Sequence, residues 1–330
     1  MLEGCKLKFV NVECAVTEHN EGIKKFGPCL KTGKDSLWCL KEIGFNVCGL
    51  SNNHIFDYGR RGAEDTIKAL NELGPAYTGF GDCYLDSRKN FIFENNGEKI
   101  AIIAVCEHEY SYALDDRMGA RPYDEYDTMS DIRSVRNECD RVIVIYHGGK
   151  EHCRYPSPRL RKLCHAMVDN GADLVVCQHS HCIGCYEEYL SGHIVYGQGN
   201  YHFIYDAMKD KKSWNESLAI HYDTVNNTIE FTPIISGEKG ITLAKGEEKA
   251  RLLREFHKRN DELKDGTWIC GWREFCAGVQ DYYIAAAKKA EGESHEEIGD
   301  SIFAHYLDCE AHTDVWRELF KTANYRNEKD

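Results

Sequence analysis

Through residues 7–177, short apolar runs alternate with segments of helical period. Residues 7–12 and 46–50 have the length and apolar content of strands, while 35–43 and 62–73 place their apolar residues on one helical face. Residues 91–94 and 100–106 flank Asn95, Asn96 and Gly97, and Asn-Gly accepts the positive φ that a tight hairpin turn demands. A strand over 141–146, a helix over 158–169 and a strand over 173–177 continue the rhythm. Strand alternating with helix predicts an α/β body built on parallel pairing.

Beyond Gln178 the pattern changes. Short strands over 184–189, 193–197, 218–222 and 229–235, separated by Ser191-Gly192 and Asn226-Asn227, predict antiparallel pairing. From Gly237 the chain turns to charged helices over 247–259 and 268–290, a linker at 291–294 and a last helix over 313–320. The shift divides the sequence into a main domain over 1–236 and a helical extension over 237–330. Trp268, Trp272, Phe275, Tyr282 and Tyr283 fall near helical spacing, which predicts a packed stripe laid over the main domain. His305, Asp308, Glu310 and His312 are ligand-type residues that, on a helix or turn, read as surface polar groups.

In an alternating α/β body, loops converge outside the C-terminal ends of the strands. The polar clusters of this sequence lie there. Glu13 follows the first strand, Asn52, Asn53 and His54 the second with Asp57 just beyond, and Glu107 and His108 the strand over 100–106. His147 follows 141–146, with Lys150 and Arg154 after it, and His179 and His181 follow 173–177. A buried imidazole or carboxylate costs several kcal/mol unless it is paired or ligated, so convergence on metal is the economical explanation. Imidazole with amide and carboxylate oxygen favours manganese, iron or zinc over calcium or magnesium. Two such ions about 3.5 to 4 Å apart would clamp a phosphoryl group and lower the pKa of bound water from 15.7 to about 7. Lys150 and Arg154 are candidates for contact with a substrate anion, and Glu107 and His108 for lining the pocket.

Composition narrows the partners. Lys plus Arg number 41 against 54 Asp plus Glu, and a net charge of −13 repels a phosphate backbone, which argues against nucleic acid. No apolar run reaches the roughly 18 residues of a membrane span, and the first residues lack the basic flank and apolar run of a signal peptide. A cytoplasmic location without a membrane span is the expectation. The 16 cysteines are scattered and read as small core hydrophobes in a reducing compartment, including the run Cys177, Cys182 and Cys185.

Asn11-Val-Glu13, Ser51-Asn-Asn-His-Ile-Phe-Asp57, Tyr146-His147-Gly-Gly, Gly171-Ala-Asp-Leu-Val-Val-Cys-Gln-His-Ser-His181 and Val195-Tyr-Gly-Gln-Gly-Asn200 resemble successive motifs of the bacterial CapA, or poly-γ-glutamate capsule-biosynthesis, family. That family is similar in turn to calcineurin-like metallophosphoesterases. The resemblance runs from residue 7 to 235 and implies a four-layered α/β/β/α sandwich with a two-metal site. It implies that Glu13 bridges two divalent metals, that Asn53, His147 and His179 hold one of them, and that His181 holds the other. His54 would protonate the leaving group, oriented by Asp57, and Asn200 would cap its turn. The implied activity is hydrolysis of a phosphate ester by metal-bound hydroxide. Alternatives are a glutamyl amide hydrolase, or a non-catalytic accessory protein of capsule metabolism, with a small anionic or glutamyl compound as the ligand.

The sequence departs from the family pattern at two places. A strand ending in Gly-Asp normally precedes the Asn-x-Glu motif and supplies a metal ligand, and it has no counterpart before Asn11. Either the true start lies upstream of Met1 or the first strand and its ligand are missing, and in the second case the expectation is one metal in place of two. Gln178 stands where the related enzymes often carry Gly.

Overall fold

A computed structural model describes residues 2–107, 109–237, 240–292, 294 and 301–324. The chain is α/β, as its periodicity predicts, with helices closing the C-terminal part. Over the described residues it forms two compact units, one of Leu2–His147 with Tyr282–Thr313 and the other of Gly148–Asp281 with residues 314–324.

In the first unit, strand Val47–Gly49 lies between Phe9–Asn11 and Ala76–Thr78, parallel to both. Asn11 stands opposite Gly49, so Glu13 and the Asn52-Asn53-His54 segment leave the sheet at the same end. The helix Gly59–Leu73 turns Ala63, Thr66, Ala69 and Leu70 inward at helical spacing and stops at Gly74, whose φ of 96° an L side chain would resist. A second strand group pairs Glu98–Cys106 parallel to Arg141–His147 and antiparallel to Phe91–Asn95. Asn96 and Gly97 have φ of 53° and 83°, the doubly positive turn that the dipeptide predicts. His147 is in register with Cys106, and Glu107 N donates to His147 O at 3.1 Å, so both residues sit at one strand end. Gly79 lets the chain pass between the two groups: a Cβ there would stand 2.7 Å from Ser51 Cβ and 2.9 Å from Ala104 Cβ.

The helix Glu125–Arg136 has no counterpart in the sequence reading, because acidic residues dilute its apolar face. That face is nevertheless regular, with Thr128, Met129, Ile132 and Val135 buried, and Asp124 caps it by accepting from Asp127 N at 2.8 Å.

In the second unit, Leu174–Gln178 pairs parallel with Gly192–Val195, which pairs antiparallel with Tyr186–Tyr189. A separate antiparallel sheet comprises Glu216–Asp223, Thr228–Gly237 and Gly240–Leu243. The helix Pro158–Asp169 begins at Ser157, whose hydroxyl accepts from Leu160 N at 3.0 Å. Cys177, Cys182 and Cys185 are buried, and none of the three is in a disulfide. Cys182 and Cys185 have C-x-x-C spacing, yet their thiols donate to different carbonyls, Cys153 O at 3.5 Å and Arg154 O at 3.2 Å.

The aromatic stripe of helix Trp268–Ala290 forms with one exception. Trp268, Trp272 and Tyr283 are buried, whereas Tyr282 is 70% exposed. From Trp272 to Tyr283 is close to three whole turns, which leaves Tyr282 well off that face. His312 is not the surface group expected. It is buried, its Nδ1 lies 2.6 Å from Tyr283 Oη, and Tyr306 stacks on both rings at 4.3 Å. Those two partners come from two other helices, so no local spacing announces them.

Glu187 anchors the second unit. Its carboxylate accepts from Arg161 at 3.1 and 2.7 Å and from Tyr196 at 2.7 Å, and His165 Nε2 lies at 2.9 Å. Burial opposes its ionisation, but the bonds from Arg161, Tyr196 and His165 outweigh that and hold its pKa below the ordinary value of 4.5. A carboxylate depressed on folding stabilises above its unfolded pKa and loses that contribution as pH falls through the folded value. Glu187→Gln should therefore lower Tm at neutral pH and flatten the fall in Tm with acidification below about pH 4.5, read by thermal unfolding across a pH series.

Candidate functional site

The first unit gathers most of the motif residues into one network. His147 is fully buried, with Nε2 2.9 Å from Asn53 Oδ1 and 3.5 Å from Glu13 Oε1. An imidazole nitrogen, an amide oxygen and a carboxylate oxygen thus face one another, a donor set that fits a divalent transition metal. Around them the asparagines set direction. Asn11 Nδ2 donates to Glu13 Oε2 at 3.2 Å and lies 3.5 Å from His147 Nδ1, while Asn11 Oδ1 accepts from Asn52 Nδ2 at 3.1 Å. Asn52 has no exposure; it also donates to Val12 O at 2.9 Å and accepts from His54 N at 3.1 Å. Cys14, next to Glu13, is pushed up to about 12, by burial first and then by the charges of Glu13 and Asp57, so it stays a thiol.

His54 and Asp57 meet as the resemblance implies. His54 Nδ1 lies 2.6 Å from Asp57 Oδ2, which also accepts from Leu30 N at 2.7 Å. The other carboxylate oxygen accepts from Lys25 Nζ, in an ion pair whose side chains are 3% and 0% exposed. Lys25 Nζ also lies 3.3 Å from His54 Nδ1 and 5.7 Å from the centre of the Tyr110 ring. With Nδ1 directed at Asp57, the imidazole keeps Nε2 for proton transfer.

In the second unit the strand ends at Gln178, and His179 and His181 follow with φ of 90° and 54°. A left-handed backbone at a non-glycine residue costs about 1–3 kcal/mol and marks positions that the surroundings impose. The rings are neighbours, with centroids 5.8 Å apart and ligand nitrogens within 4.8 Å of each other. They adjoin because the backbone bends at each histidine, not because a strand alternates its side chains. Burial pushes the His181 imidazole below its ordinary range, against the opposing pull of Glu151 and Asn200, which favours the neutral form that binds metal. His179 Nε2 is 3.9 Å from Glu151 Oε1.

The remaining candidates are dispersed. Lys150 is largely buried, 4.0 Å from Glu151, and Arg154 is partly exposed, 3.8 Å from Glu255. Glu107 is buried and accepts from Tyr146 Oη. His108 lies outside the described residues.

Residues 1–205 match the family described as bacterial capsule synthesis protein PGA_cap. The chain belongs to that family. Among curated relatives, this chain is 30% identical over 252 residues to the capsule biosynthesis protein CapA of Bacillus anthracis, covering 72% of this chain and 59% of that one. It is 30% identical over 251 residues to the PGA biosynthesis protein CapA of Bacillus subtilis (strain 168), covering 72% and 64%. The chain thus spans about three-fifths of the length of the curated relatives it matches. A solved 5'-nucleotidase precursor from Thermus thermophilus aligns with TM-score 0.38 and 12% identity, covering 65% of this chain and 42% of that one. The family assignment rests on the sequence matches and not on that likeness.

Lys25 is a residue of the site that the sequence did not announce, since it stands beside Lys24 in a polar loop with no periodic signal. Removing one partner of a buried ion pair strands the other. Lys25→Met should destabilise the first unit by about 3–5 kcal/mol, and Lys25→Arg by less, read from denaturant midpoints.

Proposed function

We propose that the chain is a metal-dependent hydrolase, acting on a phosphate ester, in which His54 is the general acid and Asp57 its orienting carboxylate. The observation that carries the reading is the arrangement in the first unit, where His147 Nε2 faces Asn53 Oδ1 at 2.9 Å and Glu13 Oε1 at 3.5 Å. In the same polar network, His54 Nδ1 stands 2.6 Å from a carboxylate with no exposure. Metal ligation is assigned to Glu13, Asn53 and His147 in one unit and to His179 and His181 in the other, as the family motifs imply. Manganese, iron or zinc suits these donors, and two ions match the motif pattern. When bound, such ions supply Lewis-acid polarisation of the scissile group and water of lowered pKa.

The chain's own residues do the rest. Asp57 holds the His54 ring so that a proton is delivered from Nε2 to the leaving oxygen. Lys25 and the Leu30 amide keep Asp57 fixed while it does so. Lys150 and Arg154 are assigned to the substrate anion. A glutamyl amide serves the same chemistry, because a general acid protonates a leaving nitrogen as well as a leaving oxygen.

A second reading is an accessory role in capsule or poly-γ-glutamate assembly without catalysis; the names of the two CapA relatives speak of biosynthesis, and that of a Mycobacterium tuberculosis relative of a probable polyglutamine synthesis accessory protein. Elemental mass spectrometry and a screen of phosphate esters and glutamyl amides separate the two. His54→Ala should keep the metal and lose about 10²–10⁴-fold in kcat. His147→Ala, and the pair His179→Ala with His181→Ala, should lose both metal and activity. Metal uptake unchanged in the histidine variants sinks the ligand assignment. Metal uptake by the parent chain with no turnover of any substrate leaves the accessory role in place.

A further inference from the structure

We propose that Asn200 is a positioning residue for His181: it fixes the imidazole as the Nδ1–H tautomer, so that Nε2 carries the lone pair. This deepens the metal-dependent reading above and rests on it for its functional meaning.

An asparagine amide has a donating end and an accepting end, and Asn200 leaves no choice between them. Its Nδ2 lies 3.0 Å from Trp214 O, a carbonyl that only accepts. The amide oxygen must then be the atom facing His181, and Oδ1 lies 2.8 Å from His181 Nδ1. An acceptor at that distance requires a proton on Nδ1. A neutral imidazole protonated there has its lone pair on Nε2.

Packing supports the same orientation. His181, Asn200 and Trp214 are 8%, 7% and 5% exposed, so water does not compete for these groups. The Trp214 ring lies 4.7 Å from the imidazole, and Phe203 meets it at 5.2 Å and 74°. Trp214 is itself tied by its indole N–H to Phe203 O at 2.7 Å. The approach of Asn200 depends on Gly199, with φ of 79°, where a Cβ would stand 2.5 Å from Glu216 O. Gly-Gln-Gly-Asn therefore reads as the device that brings an amide onto the ring. A cap for its own turn would require neither contact. Metal-binding histidines almost always donate their second ring N–H to such a partner, whose loss typically costs 10–100-fold in metal affinity.

The test uses the full chain with ¹⁵N-labelled histidine, stripped of metal by chelation, at mildly alkaline pH, with the His181 signals assigned by their loss in His181→Gln. His181 is expected as the Nδ1–H tautomer in the parent chain. Asn200→Leu, which keeps the bulk and removes the acceptor, is expected to move it towards Nε2–H and to weaken zinc binding 10–100-fold in titration. Asn200→Asp restores an acceptor and is expected to keep the tautomer and most of the zinc affinity, with a lower Tm because Trp214 O then faces a carboxylate. An Nε2–H tautomer in the parent chain, or an unchanged tautomer in Asn200→Leu, overturns the proposal. Should Asn200→Leu fail to fold, Asn200→Ala, which also removes the acceptor, takes its place, and an unchanged tautomer there overturns the proposal equally. No zinc uptake by the parent chain overturns the metal-dependent reading and the functional role of Asn200 with it, while the tautomer spectra report separately on the contact.

Discussion

A carboxylate with no exposure has to be met by donors, and the first unit is organised around meeting Asp57. Its oxygens take the Lys25 ammonium and the Leu30 amide from one stretch of chain and the His54 ring from another. The backbone joins in, since Asp57 O accepts from Ile23 N at 2.8 Å. Each donor fixes a loop, and the loops carry the residues that matter. Leu30 and Ile23 hold the long connection after Glu13, and His54 stays beside Asn53. Desolvating one carboxylate thus imposes geometry on a segment that has little secondary structure of its own.

Asparagine serves a complementary purpose. Its amide has direction, so a chain of amides passes orientation from one group to the next. Asn52 takes its bearings from the Val12 carbonyl and the His54 amide, Asn11 takes its own from Asn52, and Glu13 accepts from Asn11. In the second unit Asn200 stands between a backbone carbonyl and an imidazole. These groups are neutral, so they orient ligands without adding charge that would have to be desolvated or balanced. Carboxylates alone could not do this, because an ionised carboxylate accepts from either side and conveys no polarity.

Much of the fold was legible because period and turn chemistry are local. The helix Pro158–Asp169 follows from its apolar spacing, and the hairpin at Asn96-Gly97 follows from the two positive φ values that only such a pair adopts readily. The helix Glu125–Arg136 escaped because its buried positions are too few to dominate a charged segment. His312 was misread for a different reason. A histidine among polar neighbours looks exposed, yet the Tyr306 ring stacked on it and the Tyr283 ring tilted against it bury it.

For the candidate site, the sequence by itself determined which strand ends carry Glu13, Asn53, His54, His147, His179 and His181, because a side chain's place along a strand is fixed by its number. The family followed from the same motifs. Tertiary structure alone decided what each group meets: that a loop lysine is buried on Asp57, that Glu13 and Asn53 approach one nitrogen of His147, and that Asn200 reaches His181. Proton placement and amide orientation depend on partners distant in sequence, and only folding brings those partners within hydrogen-bonding reach.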